Sequence, residues 1–144
     1  MVQKGFIFTD RGNPLQAVKF IKGDEEYRNN CHGFTFGTSD MWIISGIATL
    51  LMDEGYKQVS IPEVNDVAIY WDWQGFTEDG SEPTYTNGIV HSGIVVQSDK
   101  NGIRVASEGG YTKGTMTTSP EGAYSLPQYY EDGYIEIRYY RQVK

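Results

Sequence analysis

The chain contains few of the residues that covalent cross-links and metal sites require. Its 144 residues include one cysteine, Cys31, and two histidines, His32 and His91. A single cysteine cannot form a disulfide within the chain, and the paired Cys and His spacings of zinc sites are missing. We therefore expect neither a disulfide scaffold nor a metal or other cofactor. Two readings of Cys31 remain, a buried small hydrophobe and a nucleophile.

Positive charge is also scarce. The chain carries 12 Lys and Arg against 19 Asp and Glu, which gives a formal net charge of −7, and its cations are scattered along the sequence. A nucleic-acid partner requires clustered cations that contact phosphates. We therefore expect no nucleic-acid partner and favour a neutral or cationic one.

Long apolar segments are missing as well. No run approaches the roughly 20 residues that cross a bilayer, and residues 1–8 are too short and too polar for a signal peptide. We expect a protein that is made in the cytoplasm and has no membrane partner. Release by a phage or a secretion system is the alternative destination.

The residues that the chain does contain are typical of one folded domain. Apolar residues make up 39% of the sequence and aromatic residues 14%, which is enough to build a core. A chain of this length buries one core and is too short for two ordinary domains. We predict a single domain over residues 1–144 and leave its oligomeric state open.

Helical signals lie in the first half of the chain. A proline suited to the first helical turn predicts a short helix over 14–20. A second helix is predicted over 40–54, with Ser39 or Asp40 capping its start and Gly55 its end. Its apolar residues recur at three- and four-residue spacing, at Ile43, Ile47, Leu50 and Leu51.

Alternating apolar and polar residues predict strands, mostly in the second half. The predicted strands cover residues 5–9, 66–71, 89–97, 103–107 and 134–140. The polar stretches 73–88 and 109–128 are predicted to be surface loops. Helices followed by antiparallel strands make an α+β domain, in which N-terminal helices pack on an antiparallel β-sheet.

Two of the predicted strands form a hairpin. Residues 97–102, with the sequence QSDKNG, have the composition of a turn. If Val96 lies opposite Ile103, then His91 lies opposite Glu108, whose carboxylate can accept the imidazole N–H. A one-residue bulge would separate these two side chains and would favour a protein without catalytic chemistry.

This hairpin bears on the role of the thiol. A nucleophilic thiol requires a base, a group that orients the base, and donors for the oxyanion. Cys31 at the start of a short helix would have backbone N–H groups nearby, which also lower the thiol pKa. With His91 as base and Glu108 as orienting group, or Ser107 in its place, the sequence predicts a Cys-His-Glu triad.

Four short motifs between residues 27 and 110 extend this interpretation. They are NCHGFTF at 30–36, NDVAIYW at 65–71, HSGIVV at 91–96 and RVASE at 104–108. In this order they resemble the papain-like cell-wall cysteine hydrolases of the NlpC and CHAP type. His32 after the cysteine and Asn65 in place of a glycine depart from the usual pattern of that family, which leaves the substrate open.

The resemblance implies a papain-like fold and a cysteine amidase or peptidase. It makes Cys31 the nucleophile, His91 the general base and Glu108 the orienting group. The first candidate substrate that it implies is the peptide part of peptidoglycan in the bacterial cell wall. Bacterial and phage proteins both carry such domains.

Further residues are candidates for substrate binding. Tyr27 has a hydroxyl suited to an oxyanion hole, His32 adjoins the thiol, and Trp71 and Trp73 are of the type that lines a groove for sugar or peptide. Two other functions stay open. One is a non-catalytic, aromatic-rich binding or structural module. The other is a deamidase or transglutaminase-like effector that uses the same triad.

Overall fold

Two antiparallel sheets organise the chain. The structure, a computed structural model, describes residues 2–20, 31–36, 41–43, 46–72, 88–108, 115–123 and 135–143. In chain order the elements are β1 (Val2–Phe8), β2 (Pro14–Phe20), α1 (Cys31–Thr35), β3 (Met41–Ile43), α2 (Ile47–Asp53), β4 (Tyr56–Val59), β5 (Val67–Asp72), β6 (Ile89–Asp99), β7 (Gly102–Glu108), β8 (Thr115–Thr118), a 3-10 helix (Glu121–Ala123) and β9 (Ile135–Gln142). Neither α-helix in these residues has the length and apolarity needed to cross a membrane.

The strands form one small and one large sheet. The N-terminal sheet has the order β1-β2-β3, and the main sheet has the order β4-β9-β5-β6-β7-β8, with every pairing antiparallel. The prediction of an α+β papain-like domain with N-terminal helices is therefore wrong. The described chain is mostly antiparallel β-sheet, and its N-terminal part is itself a sheet.

The predicted helix over 14–20 is the strand β2. Leu15 and Ala17 are buried while Pro14 and Gln16 are exposed, which is the two-residue period of a strand. All seven residues of β2 lie opposite residues of β1. Pro14 stands at the first position, where a proline is tolerated in a strand. Pairing with β1 outweighed the local preference that the proline suggested.

The predicted helix over 40–54 is helical only in its second half. Ile43 belongs to β3, and α2 begins after Gly46, which has a φ of 87°. A side chain at Gly46 would lie 2.5 Å from the Leu15 Cδ2 atom, so both the backbone and the packing require glycine there. The predicted N-cap, Ser39 or Asp40, is wrong, because Gly46 is the N-cap residue of α2. The buried stripe is confirmed at Ile47, Leu50 and Leu51, and Gly55 follows the helix with a φ of 76°.

The five predicted strands are confirmed, with ends that differ by a few residues. Four other strands, β2, β3, β4 and β8, were not predicted as strands. Strand β8 and the 3-10 helix lie within the predicted loop 109–128. Residues 109–114 and 124–128 of that loop, and residues 73–87 of the other, lie outside the described residues.

Strand β5 lies at the centre of the packing, and residues 67–71 are all buried. Its two faces contact different apolar clusters. One face, which we call the helix-side face because α2 packs on it, belongs to a cluster of nine buried residues: Leu15, Ile43, Ile47, Leu50, Leu51, Val67, Ile69, Trp71 and Tyr140. The opposite face, which we call the far face, belongs to a second cluster: Ala68, Tyr70, Val105, Ala123 and Ile135. Residues from both sheets meet on the helix-side face, which joins the two sheets through one core.

A partly buried ion pair fixes the chain where it enters β5. Arg141 donates to both carboxylate oxygens of Asp66, each at 2.8 Å, and the Glu63 N–H donates to the same carboxylate at 2.7 Å. Burial raises the pKa of Asp66, but these hydrogen bonds and the charge of Arg141 outweigh it, so the pKa lies below its ordinary value of 3.8. Asn65, with a φ of 80°, makes the turn that places Asp66 there.

Substitution Asp66→Asn should lower the free energy of unfolding by about 2–3 kcal/mol, because it removes a charge-assisted pair of hydrogen bonds. The folded-state pKa is depressed, so this stabilisation is complete above pH 3.8 and is lost as the pH falls below it. Urea unfolding of both proteins at pH 7 and pH 3 tests this. A difference between them that stays the same at the two pH values would contradict it.

Candidate functional site

Cys31 is the first residue of α1, as the sequence predicted. The helix packs against β6 on the helix-side face of the main sheet, and the partly buried thiol lies beside Ser92 of that strand. Burial raises the pKa of the Cys31 thiol, and the hydrogen bonds from Ser92 and nearby backbone groups offset this only in part. A raised pKa keeps the thiol protonated near neutral pH, which is the opposite of what a nucleophilic cysteine requires.

A chain of hydrogen bonds connects α1 to β6. The His32 Nδ1 and Ser92 Oγ atoms are 2.7 Å apart, Ser92 Oγ donates to Thr35 Oγ1 at 3.0 Å, and Thr35 Oγ1 donates to the Cys31 carbonyl at 2.7 Å. A carbonyl only accepts, so the Thr35 hydrogen points at Cys31, and the Ser92 hydrogen points at Thr35. Ser92 must then accept from His32, which fixes the neutral His32 ring with its proton on Nδ1.

This direction assigns His32 a structural role. Its Nδ1 proton is used in the hydrogen bond to Ser92, so Nδ1 has no lone pair to accept the thiol proton. Burial, with a smaller effect from the charge of His91, lowers the pKa of His32 to about 3. His32 therefore connects the helix to the sheet as a buried, neutral donor, and the substrate-binding role predicted for it stays a prediction.

His91 points away from this helix. Successive strand residues face opposite sides of a sheet, and Ser92 of β6 faces α1. His91 lies opposite Tyr70 of β5, and the two rings meet edge to face on the far side with centroids 5.1 Å apart. Burial lowers the pKa of His91 to about 4. The structure thus places the predicted nucleophile and the predicted base on opposite faces of one strand.

The predicted hairpin register is also wrong. Ile94 lies opposite Ala106 and Val95 opposite Val105, and a bulge at Val96 then shifts the pairing so that Ser98 opposes Ile103. Continued toward Glu108, the first register places residue 108 opposite Ser92 and not opposite His91. The backbone of Glu108 pairs with Thr115 of β8, and its side chain lies outside what the structure describes.

Ser107, the alternative orienting residue, lies on the same face as His91. In β7, Ser107 and Val105 lie on the same face. Val105 is paired with Val95 of β6, which lies on the same face as His91. Ser107 is fully buried, and its hydroxyl has no hydrogen-bond partner among the described residues. Nearby Gly93 lets β7 approach closely, because a Cβ there would lie 2.8 Å from the Ala106 carbonyl oxygen.

The remaining predicted site residues do not meet at the thiol. Trp71 has no exposed surface and packs in the core against Tyr140, with the Arg138 guanidinium 5.0 Å above its ring. It therefore does not line an open groove. Tyr27 and Trp73 lie outside the described residues. Within the described ranges, no group of three or more His, Cys, Asp or Glu is placed to hold a metal ion.

A feature that the sequence did not indicate is a pocket of about 270 Å³ beside α2. We call it the aromatic pocket. It is lined by Ile7, Phe8, Thr9, Leu15, Phe36, Leu50, Glu54, Tyr56 and Gln142. The rings of Phe36 and Tyr56 stand at right angles, with centroids 5.9 Å apart, and the Phe8 side chain is 67% exposed. These residues come from six separate segments, so no local pattern marks them.

Hydrogen bonds hold the mouth of the aromatic pocket in place. The turn between β1 and β2 is tied to the end of α2, since Thr9 Oγ1 donates to Asp53 at 2.5 Å and the Asp10 N–H donates to Glu54 Oε1 at 2.7 Å. The Gln142 amide donates to the Glu54 carbonyl at 3.0 Å. Glu54 is thus fixed at the pocket by its backbone and by its side chain.

Comparison of the chain with known protein families, with curated proteins and with solved structures gives no match. The likeness to cysteine hydrolases therefore depends on the four short motifs alone.

Substitution Ser92→Ala should lower the free energy of unfolding by about 2 kcal/mol, because it leaves the buried His32 donor without an acceptor. Ser98→Ala, on the same strand, removes a single partly buried bond to the Pro62 carbonyl and should cost about 1 kcal/mol. Chemical denaturation measures both. Equal losses in the two variants would show that the bond between His32 and Ser92 adds nothing.

Both histidine rings should remain neutral above pH 5 in the folded protein, since their pKa values are about 3 and 4. Unfolded histidines bind protons below the ordinary value of 6.5, so the fold should lose stability as the pH falls from 6.5 toward 4. Proton NMR of the two ring signals tests this directly. A ring that titrates near pH 6.5 would contradict its burial.

Proposed function

We propose that this chain is a binding domain whose ligand occupies the aromatic pocket. The observation that carries the proposal is the composition of the pocket: three aromatic side chains and two buried leucines line it, and none of the predicted triad residues does. Binding sites for small molecules are typically mostly apolar cavities with a few fixed polar groups. Glu54, Thr9 and Gln142 are the polar groups here.

The surroundings of Cys31 support the same proposal. The thiol has a raised pKa, the adjacent imidazole is used as a donor to Ser92, and the His91 ring packs on Tyr70 across the sheet. A base that faces the other side of its strand cannot accept the thiol proton without a rearrangement of β6.

A cysteine amidase or peptidase, or a deamidase with the same triad, is the competing proposal. One observation favours it: α1 begins at Cys31 and packs on the strand that carries His91. For either enzyme to work, the His91 ring would have to leave Tyr70 and reach the helix side of β6. Peptide or cell-wall peptide would then be the substrate.

Toluene, a small neutral and apolar molecule, tests whether the aromatic pocket of about 270 Å³ binds a ligand. Toluene added to the protein should shift the NMR signals of the Leu15 and Leu50 methyl groups. Phe8→Ser should weaken this binding at least about fivefold, since it removes one apolar wall. Phe6→Ser is the matched control, because Phe6 is on the same strand, is 60% exposed and does not line the pocket.

Two results would contradict the binding domain. One is an equal effect of the Phe8 and Phe6 substitutions, or no shift of the leucine signals at all. The other is fast alkylation of Cys31 in the folded protein at pH 6, where an ordinary thiol with a pKa of about 8.5 is almost wholly protonated. Fast alkylation would support the enzyme instead. Slow alkylation, with a faster reaction in the unfolded chain, is the result that we expect.

A further inference from the structure

We propose that the ligand of the aromatic pocket is an organic cation, a quaternary or methylated ammonium group. This inference rests on the proposed binding function and goes beyond it by assigning the charge and chemical class of the ligand.

The walls of the pocket suit a cation. An aromatic ring carries negative potential on its faces, and a cation within about 6 Å of a ring centroid is attracted to it. Phe36 and Tyr56 stand at right angles, and Phe8 adds a third ring at the mouth. An ammonium group in this cavity would therefore lie beside three aromatic residues.

A carboxylate at the same pocket adds a full negative charge. Glu54 lines the cavity. The pKa of the Tyr56 hydroxyl is raised, mainly by burial and to a smaller extent by the charge of Glu54. Across the described part of the chain, Glu54 forms no ion pair. Its charge is therefore available to a ligand, and Asp10 and Asp53 beside it make the mouth of the pocket acidic. Arg11 is the nearby cation, and it acts on Asp53.

The balance of apolar and polar groups selects among cations. A metal ion requires several oxygen ligands, whereas the pocket is lined by one carboxylate, two uncharged polar side chains and six apolar or aromatic ones. A primary ammonium group is strongly hydrated, and the few acceptors here cannot replace its water. An alkylated ammonium group has an apolar surface and a spread charge, so rings and one carboxylate suffice for it. The volume of about 270 Å³ lies just below the usual range for drug-sized ligands, which fits a head group or a single side chain.

The experiment compares choline with 3,3-dimethyl-1-butanol, which has the same shape without the charge. Each is titrated into the full chain while the Leu15 and Leu50 methyl signals are followed by NMR. We expect choline to bind at least about tenfold more tightly than the neutral alcohol. Equal binding of the two would overturn the cation assignment, and continued binding of toluene would leave the proposed binding function standing.

Two pairs of variants locate the effect. Glu54→Gln keeps an oxygen that accepts the Asp10 N–H and removes the charge, so the preference for choline should fall several-fold. Glu121→Gln makes the same change of net charge in the 3-10 helix, outside the pocket, and should leave the preference as it is. Phe8→Leu should weaken choline more than the neutral alcohol, whereas Phe6→Leu should affect neither. An equal loss within either pair would overturn the proposal.

Discussion

The alternation of side chains along the central strands of the main sheet is the constraint on which the rest of the structure depends. Strand β5 is buried on both faces over residues 67–71, and these five residues alternate between two separate apolar clusters. Its neighbour β6 must follow the same alternation, because paired residues share a face. Ser92 therefore meets α1, and His91 meets Tyr70 on the other side.

That constraint determines what the thiol can do. A short helix contacts the sheet through His32, Ser92 and Thr35, and the hydrogen bonds run from the imidazole to the Cys31 carbonyl. The network is complete without a negative charge on sulfur, and burial makes such a charge unfavourable. The same helix ends next to Phe36, which forms a wall of the aromatic pocket. The bonds that fix α1 on β6 thus also help to position one side of the ligand site.

Much of the main sheet could be predicted from the sequence. The strands around residues 66–71, 103–107 and 134–140 combine alternation with β-branched and aromatic residues, and the buried stripe of α2 has helical spacing. Strand β2 of the N-terminal sheet could not, because PLQAVKF fits either period and its identity as a strand depends on pairing with β1. Tertiary contacts decided between two local structures that the sequence allows.

The site was harder to predict than the fold, for two physical reasons. The hairpin turn is tighter than predicted, with Asp99 opposite Gly102, and the bulge at Val96 then shifts the register by one residue. A bulge arises from packing across strands and not from a local motif. The aromatic pocket joins residues from Ile7 to Gln142, whose proximity exists only in the folded chain. By contrast, the start of α1 at Cys31 was visible in the sequence, although it did not reveal which face of β6 the helix would meet.

The position of the His91 ring tests this account most directly. In a folded sample, nuclear Overhauser contacts from the His91 ring protons report which side of β6 the ring occupies. The account predicts contacts to the ring protons of Tyr70 and none to the β protons of Cys31. A strong contact between His91 and Cys31, without one to Tyr70, would place base and thiol together and would contradict the central claim.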